Sequence, residues 1–287
     1  MKIIEKMKIW FGASTAFIVV GLVMALMFGF NYGIDFTGGT VMEMNLHKNV
    51  PIAEIKEMSK EIDSNITINK LGADKTVVQL KTIKDMDSKK IDSFFEKFKQ
   101  KYSLEDGDLL KAEQIGPSVG NEIKNKAMLA VVVSSIFMLV YISFRFELSY
   151  GVAAIVSLVH DVLFMLAFYA MFRIPLNSTF IAAILTVVGY SINDTIVVFD
   201  RIRENAGNYK KSEYATLAND SIKQTLSRTM NTSLTTIVTI TALYIFGVDA
   251  IKEFTLPLIA GILVGTYSSI FIASPVWVVF KQKQKFS

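Results

Sequence analysis

Long apolar runs almost free of charge recur six times along the chain. The first covers residues 9–34 (IWFGASTAFIVVGLVMALMFGFNYGI) and contains no acidic or basic side chain. At about 1.5 Å per helical residue it is more than long enough to cross a hydrocarbon core of roughly 30 Å. A crossing helix is expected at about residues 10–30. The run is too long and too bulky near its end for a cleaved signal peptide, and it has no small-x-small site, so the expected outcome is a retained span. Residues 127–144 form the second run, closed by Arg145 and Glu147. The third, 148–172, is interrupted only by His160 and Asp161, and the fourth, 174–199, carries a single charge, Asp194. The fifth span is expected at about 230–248 and the sixth at 254–280, ahead of Lys281, Lys283 and Lys285.

Six spans put the N-terminus, residues 200–229 and the C-terminus on one side. Those segments carry Lys2, Lys6 and Lys8, then Arg201, Arg203, Lys210, Lys211, Lys223 and Arg228, then the three tail lysines. Basic residues in short segments mark the cytoplasmic face. The opposite hairpin loops hold only Arg173 and Lys252. Residues 31–126 lie outside by parity. Their fifteen Lys do not oppose this, because long domains translocate largely regardless of charge.

Within that external region the periodicity changes. Residues 40–46 (TVMEMNL) alternate, whereas Ile52, Ile55, Met58 and Ile62 recur at helical spacing behind Pro51. Alternation returns over 66–71 and 76–80, around a turn containing Gly72. Residues 87–102 then carry a helical stripe of Ile91, Phe94, Phe95, Phe98 and Tyr102, and 108–115 supplies a closing strand. The order β-α-β-β-α-β is the split βαβ pattern of ferredoxin-like domains. Packing of helix on sheet explains the aromatic stripe more simply than a ligand platform does. The expected division is 1–34 for the N-terminal segment and first span, 35–120 for the external domain, and 121–287 for five further spans. The fold class is a mainly α membrane protein with one small α+β domain between its first two spans.

Composition narrows the chemistry. Hydrophobic side chains make up 52% of the 287 residues and charged ones 20%, unevenly spread: 127–287 holds only 12 Lys or Arg and 9 Asp or Glu. With no Cys there is no thiol nucleophile, thiolate metal site or disulfide framework. Two His leave no basis for a His-rich metal centre. No phosphate loop, catalytic triad or carboxylate pair has the required spacing, so neither an enzyme nor a cofactor is expected. The net charge of +4 fits membrane topology better than nucleic-acid binding, since no basic groove-like run interleaves with aromatics.

The sharpest chemical signal is Asp194, in LTVVGYSINDTIVVFD. A carboxylate at bilayer depth costs several kcal/mol unless it meets a partner, water or a proton. Reversible protonation is therefore its expected chemistry, with hydrogen-bonded helix glue as the alternative. Tyr190 and Ser191, one turn earlier, and the adjacent Asn193 are candidates for relay support. In the fifth span Arg228 heads a row of hydroxyls, Thr232, Thr235, Thr236 and Thr239, which suits packing or a hydrated path equally. Arg228 keeps its charge, so it biases a carboxylate or positions water, or else snorkels to headgroups. His160 and Asp161 either extend a relay or form a packed pair. Gly189, Gly261 and Gly265 allow close helix approach, and Gly265 is followed by Thr266, Ser268 and Ser269. The connectors 31–39 and 116–120 cluster Gly, and the second contains Pro117, so each reads as a hinge or a tight turn.

Five stretches together resemble the SecF branch of the SecD/SecF protein-export family, within the resistance-nodulation-division superfamily. They are 33–39 (GIDFTGG), 116–120 (GPSVG), 189–205 (GYSINDTIVVFDRIREN), 227–236 (SRTMNTSLTT) and 265–275 (GTYSSIFIASP), each at the expected membrane position. The SINDT arrangement and the modest external region separate the chain from the SecD branch. The resemblance implies an accessory factor that uses the proton-motive force to complete export of unfolded secretory polypeptides on the outer side of the SecYEG channel. It also implies SecD as pseudosymmetric partner, further contacts with SecA and a YidC-type insertase, and a bilayer home. Under it Asp194 and Arg228 match the proton-relay pair, with another carboxylate supplied by SecD. Asp35, Gly38 and Gly39, with Gly116, Pro117 and Gly120, match coupling or hinge positions. Two other functions compete: a proton-coupled small-molecule exporter, and a structural stabiliser of the translocase without ion coupling.

Overall fold

The computed structural model describes residues 2–72, 74–210 and 212–284. Lys211 and Lys285 fall outside them. Among the described residues six helices are long and apolar enough to cross a membrane. They are α1 (Met7–Phe28), α5 (Pro117–Arg145), α6 (Leu148–Phe172), α7 (Ser178–Asn205), α8 (Tyr214–Phe246), and a sixth built from α9 (Asp249–Ser268), a π turn (Ser269–Ala273) and α10 (Ser274–Gln284).

Between α1 and α5 the chain makes a one-turn helix α2 (Ile34–Thr37) and then the external domain. This comprises β1 (Gly39–Asn45), α3 (Ile52–Ser59), β2 (Thr67–Leu71), β3 (Val77–Thr82), α4 (Ser88–Tyr102) and β4 (Leu109–Ile115). The strands are antiparallel in the order β2-β3-β1-β4, with Met42 opposite both Leu80 and Ala112. That is the ferredoxin-like topology. Alternation sends Met42, Met44, Val78 and Leu80 to one face, where Ile55 of α3 and Ile91, Phe94, Phe95 and Phe98 of α4 cover them. The aromatic stripe is core. Asp87 caps α4 by accepting from the Lys90 amide, at 2.9 Å.

The membrane bundle is tightest around α7. That helix packs on α9, α8 and α6, while α1 lies along α6. Its core includes Tyr150, Leu158, Met165, Tyr169, Phe180, Val188, Phe199 and Trp277. The outer surfaces of α1, α5 and α8 leave residues such as Leu26, Phe137 and Leu234 exposed. An apolar surface of that kind is stable in lipid and would be costly in water.

Two connecting segments are largely helical. Helix α7 continues to Asn205 and α8 begins at Tyr214, so most of 200–229 extends two spans rather than linking them. Likewise 116–120 is no turn: Gly116 is the N-cap of α5 and Pro117 stands in its first turn, where a missing N–H costs nothing. The external sheet thus runs from β4 directly into the second span.

Candidate functional site

Two carboxylates lie in the middle of the bundle, each 1% exposed. Asp161 sits 13 residues into α6 and Asp194 16 residues into α7, about 20 Å and 24 Å from the starts of their helices. Asp161 is held closely. Its Oδ2 accepts from the Ser191 hydroxyl of α7 at 2.6 Å and from the Ser268 hydroxyl of α9 at 2.8 Å. Its Oδ1 lies 3.0 Å from Nδ1 of the neighbouring His160. The other imidazole nitrogen, Nε2, is buried with no hydrogen-bond partner among the described residues.

Asp194 is held more loosely. Its Oδ2 accepts from Ser233 of α8 at 3.3 Å and from Thr266 of α9 at 3.4 Å, and those two hydroxyls are 2.7 Å apart. Alongside, Thr195 and Ser269 hydroxyls meet at 2.8 Å, and Ser269 donates to the Ser191 carbonyl at 3.1 Å. Small side chains make this cage close enough to form. A Cβ on Gly261 would stand 2.2 Å from a Val187 methyl, and one on Gly265 would stand 2.9 Å from Ser191 Cβ. The α9 backbone therefore lies against the Val187 and Ser191 side chains of α7, where the hydroxyls must reach across.

The hydroxyl row of the fifth span faces elsewhere. Thr235 and Thr239 are exposed, and Thr232, Thr235, Thr236 and Thr239 all donate to carbonyls four residues earlier in α8. A second row at four-residue spacing, Thr225, Thr229 and Ser233, is the buried one. Sequence periodicity contained both rows and gave no means of choosing between them. Arg228 lies on the exposed side, and among the described residues no hydrogen bond or ion pair links its guanidinium to Asp194. Tyr190 and Asn193 also depart from expectation. Tyr190 donates to Thr236 at 3.2 Å and Asn193 is exposed, so only Ser191 of that group joins the cage, and it serves Asp161. Gly189 faces open space rather than a helix of this chain.

The outer edge carries its own polar seam. Asp35 of α2 accepts from both the Ser178 amide (2.7 Å) and hydroxyl (2.5 Å), adding a carboxylate to the N-terminus of α7. Backbone bonds Gly33 N to Leu176 O and Leu176 N to Asn31 O stitch the exit of the first span to the entry of the fourth. Gly38 and Gly39 have positive φ, and a Cβ on Gly39 would stand 2.1 Å from the Thr82 carbonyl oxygen. At the start of α5, Gly120 lets the Phe36 carbonyl approach to 2.7 Å from where a Cβ would be. These glycines make tight junctions between the sheet and the spans.

Residues 24–50 match the family described as "SecD/SecF GG Motif", and residues 95–283 match "Protein export membrane protein SecD/SecF, C-terminal". The chain belongs to the SecD/SecF family. It is 37% identical to the protein translocase subunit SecF of Sebaldella termitidis, over 99% of this chain and 93% of that protein. It is likewise 37% identical to SecDF of Thermus thermophilus over 94% of this chain and 37% of that longer protein. The crystal structure of the Thermus SecDF, a translocon-associated membrane protein, superposes with a TM-score of 0.82 at 34% identity, over 98% of this chain and 39% of that one. This SecD/SecF-family protein is thus an accessory subunit of Sec-dependent protein export, associated with the Sec translocon. It is a multi-pass inner-membrane protein with one external domain.

Proposed function

We propose that the chain is one half of an export motor driven by the proton-motive force, and that Asp194 carries the charge-switching step while Asp161 holds the helices around it. The observation behind this reading is the unequal holding of two enclosed carboxylates, each by hydroxyls from two other helices. An ionised carboxylate at this depth needs short, charge-assisted hydrogen bonds. Asp161 has them and Asp194 has only two long ones. Asp194 is therefore the group that exchanges a proton, and Asp161 the anchor that holds α6, α7 and α9 in register. When Asp194 changes charge, Ser233 and Thr266 must reorient, which biases the packing of α8 and α9 against α7. A potential of 100 mV supplies about 2.3 kcal/mol per proton, enough to tilt a two-state packing equilibrium.

Arg228 has the opposite exposure. Together with Asn193, Gly189 and the outer threonines it supports docking of a second six-span half, SecD, whose own carboxylate would meet the guanidinium. The assembly would then act on unfolded secretory polypeptides leaving SecYEG, with SecA and a YidC-type insertase as neighbours. Reconstitution with SecD, SecYEG and SecA tests the reading. Asp194→Asn should abolish gradient-stimulated export while leaving assembly and ATP-driven insertion intact, measured under separately imposed H⁺ and Na⁺ gradients. Normal gradient-dependent export by that variant would leave only a stabilising role.

A further inference from the structure

The sixth span has three features that no role assigned so far uses. At its outer end Glu253 reaches into the external domain. Its Oε1 accepts from Asn69 Nδ2 on β2 at 2.7 Å, and its Oε2 lies 3.7 Å from Lys81 Nζ on β3. The same carboxylate accepts from Asn177 Nδ2, the N-cap residue of α7, at 3.1 Å. Glu253 and Lys81 side chains are only 23% and 24% exposed, at the wall of a cleft of about 250 Å³ that also contains Asp35 and Asp63. One carboxylate thus joins sheet, fourth span and sixth span.

Four residues further on, Pro257 stands inside α9. Proline has no N–H, so the bond that would close on the Glu253 carbonyl is missing, and the turn carrying Glu253 is released from the regular ladder. Below the donors Thr266 and Ser268, the helix widens into the π turn Ser269–Ala273, a second interruption. Between the two interruptions lies a short rigid rod. It carries Gly261 and Gly265 against α7, and the hydroxyls that hold Asp194 and Asp161.

We infer that Glu253 is a strut: it makes the external sheet follow the sixth span whenever the hydroxyl cage rearranges, so that charge switching in the membrane moves the external domain. This rests on the proposed role of Asp194. Glu253 acts as a positioning residue, touching neither the transported polypeptide nor the switching carboxylate.

The chain's lack of cysteine gives a clean test. In the reconstituted SecD–SecYEG–SecA system, Asn69→Cys with Glu253→Cys breaks the strut. Gradient-stimulated export, taken as a ratio to export on ATP alone, should fall roughly tenfold. Bridging the two thiols with a short cleavable bifunctional reagent should restore the ratio, and reduction should remove it again. Full stimulation before bridging, or none after it, would overturn the strut. Charge reversal is the second measurement. Lys81→Glu and Glu253→Lys should each lower the ratio, and their combination should recover it; failure of recovery also overturns the inference. Asp194→Asn in the same vesicles separates the two levels. If it still shows stimulated export, the proton reading fails and the strut with it. If it blocks stimulation while the unbridged cysteine pair does not, the strut alone fails.

Discussion

Ser191 donates to Asp161 across 2.6 Å, and it stands three residues before Asp194 on the same helix. The two membrane carboxylates are therefore not independent. Any rotation of α7 that changes the surroundings of Asp194 also strains the shortest hydrogen bond to Asp161. Asp161 has the shorter hydrogen bonds of the two, although the chain pattern singles out Asp194 first.

Asp161→Asn should reduce gradient-stimulated export about as severely as Asp194→Asn and should also lower thermal stability, because a neutral amide oxygen takes the two serine bonds without the charge that strengthens them. Loss of charge-assisted bonds of this kind typically costs about 1.5–3 kcal/mol. Thermal unfolding in detergent, run beside the export assay, checks both expectations. Asp194→Asn should leave the unfolding temperature nearly unchanged, since its bonds are long.

Ser233→Ala and Thr235→Ala should separate the two hydroxyl rows of α8. Ser233 touches Asp194, whereas the Thr235 hydroxyl is exposed and turned to its own backbone. The first should lower stimulated export roughly tenfold and the second by less than about twofold, the surface substitution being worth no more than ~0.5 kcal/mol. Equal effects would show that the outer row lines the ion path.

Gly265→Leu should unfold or dissociate the α7–α9 contact, because even a Cβ would lie 2.9 Å from Ser191 Cβ. Overpacking of this size costs about 1–3 kcal/mol or more. Gly189→Leu, facing open space, should leave the isolated chain's unfolding temperature unchanged. If it nevertheless weakens co-purification with SecD, the glycine face belongs to the interface between the halves.

In the external domain, Lys101, at 2.8 Å, and the Tyr102 hydroxyl, at 3.0 Å, hold the Glu54 carboxyl below its ordinary value of 4.5. Burial and the Glu54 carboxylate push the Tyr102 phenol up to about 12. A depressed carboxylate contributes stability that is complete above its unfolded value and lost as pH falls through the folded one. Glu54→Gln should therefore destabilise the chain at neutral pH, with the difference from wild type closing below about pH 4.5. Unfolding curves between acid and neutral pH would show it; a constant difference would exclude the linkage.

The six spans were readable because lipid demands long apolar helices, and the external domain because alternation and helical spacing trade places in a fixed order. Asp194 was readable for the same reason, a charge in an oily run. The partners were not. In a soluble protein apolar periodicity identifies the inward face, but in α8 both the lipid side and the protein side are apolar with hydroxyls, so the pattern singled out Thr232, Thr235 and Thr239 and passed over Ser233. Gly189 and Gly265 posed the same problem, two small residues of which only one touches a neighbouring helix of this chain. The helix start at 116–120 was hidden because a glycine-containing helix turn beyond the bilayer lacks the apolar signal that marked the spans.

Because β4 passes at Gly116 straight into the 29-residue second span, that helix is a lever with the external sheet bolted to its far end. Its length is about 43 Å, so a swing of roughly 10° about the cytoplasmic end carries the sheet some ~7 Å sideways. A small tilt of this helix would thereby be enlarged, on the outer side of the membrane, to about the width of an extended polypeptide.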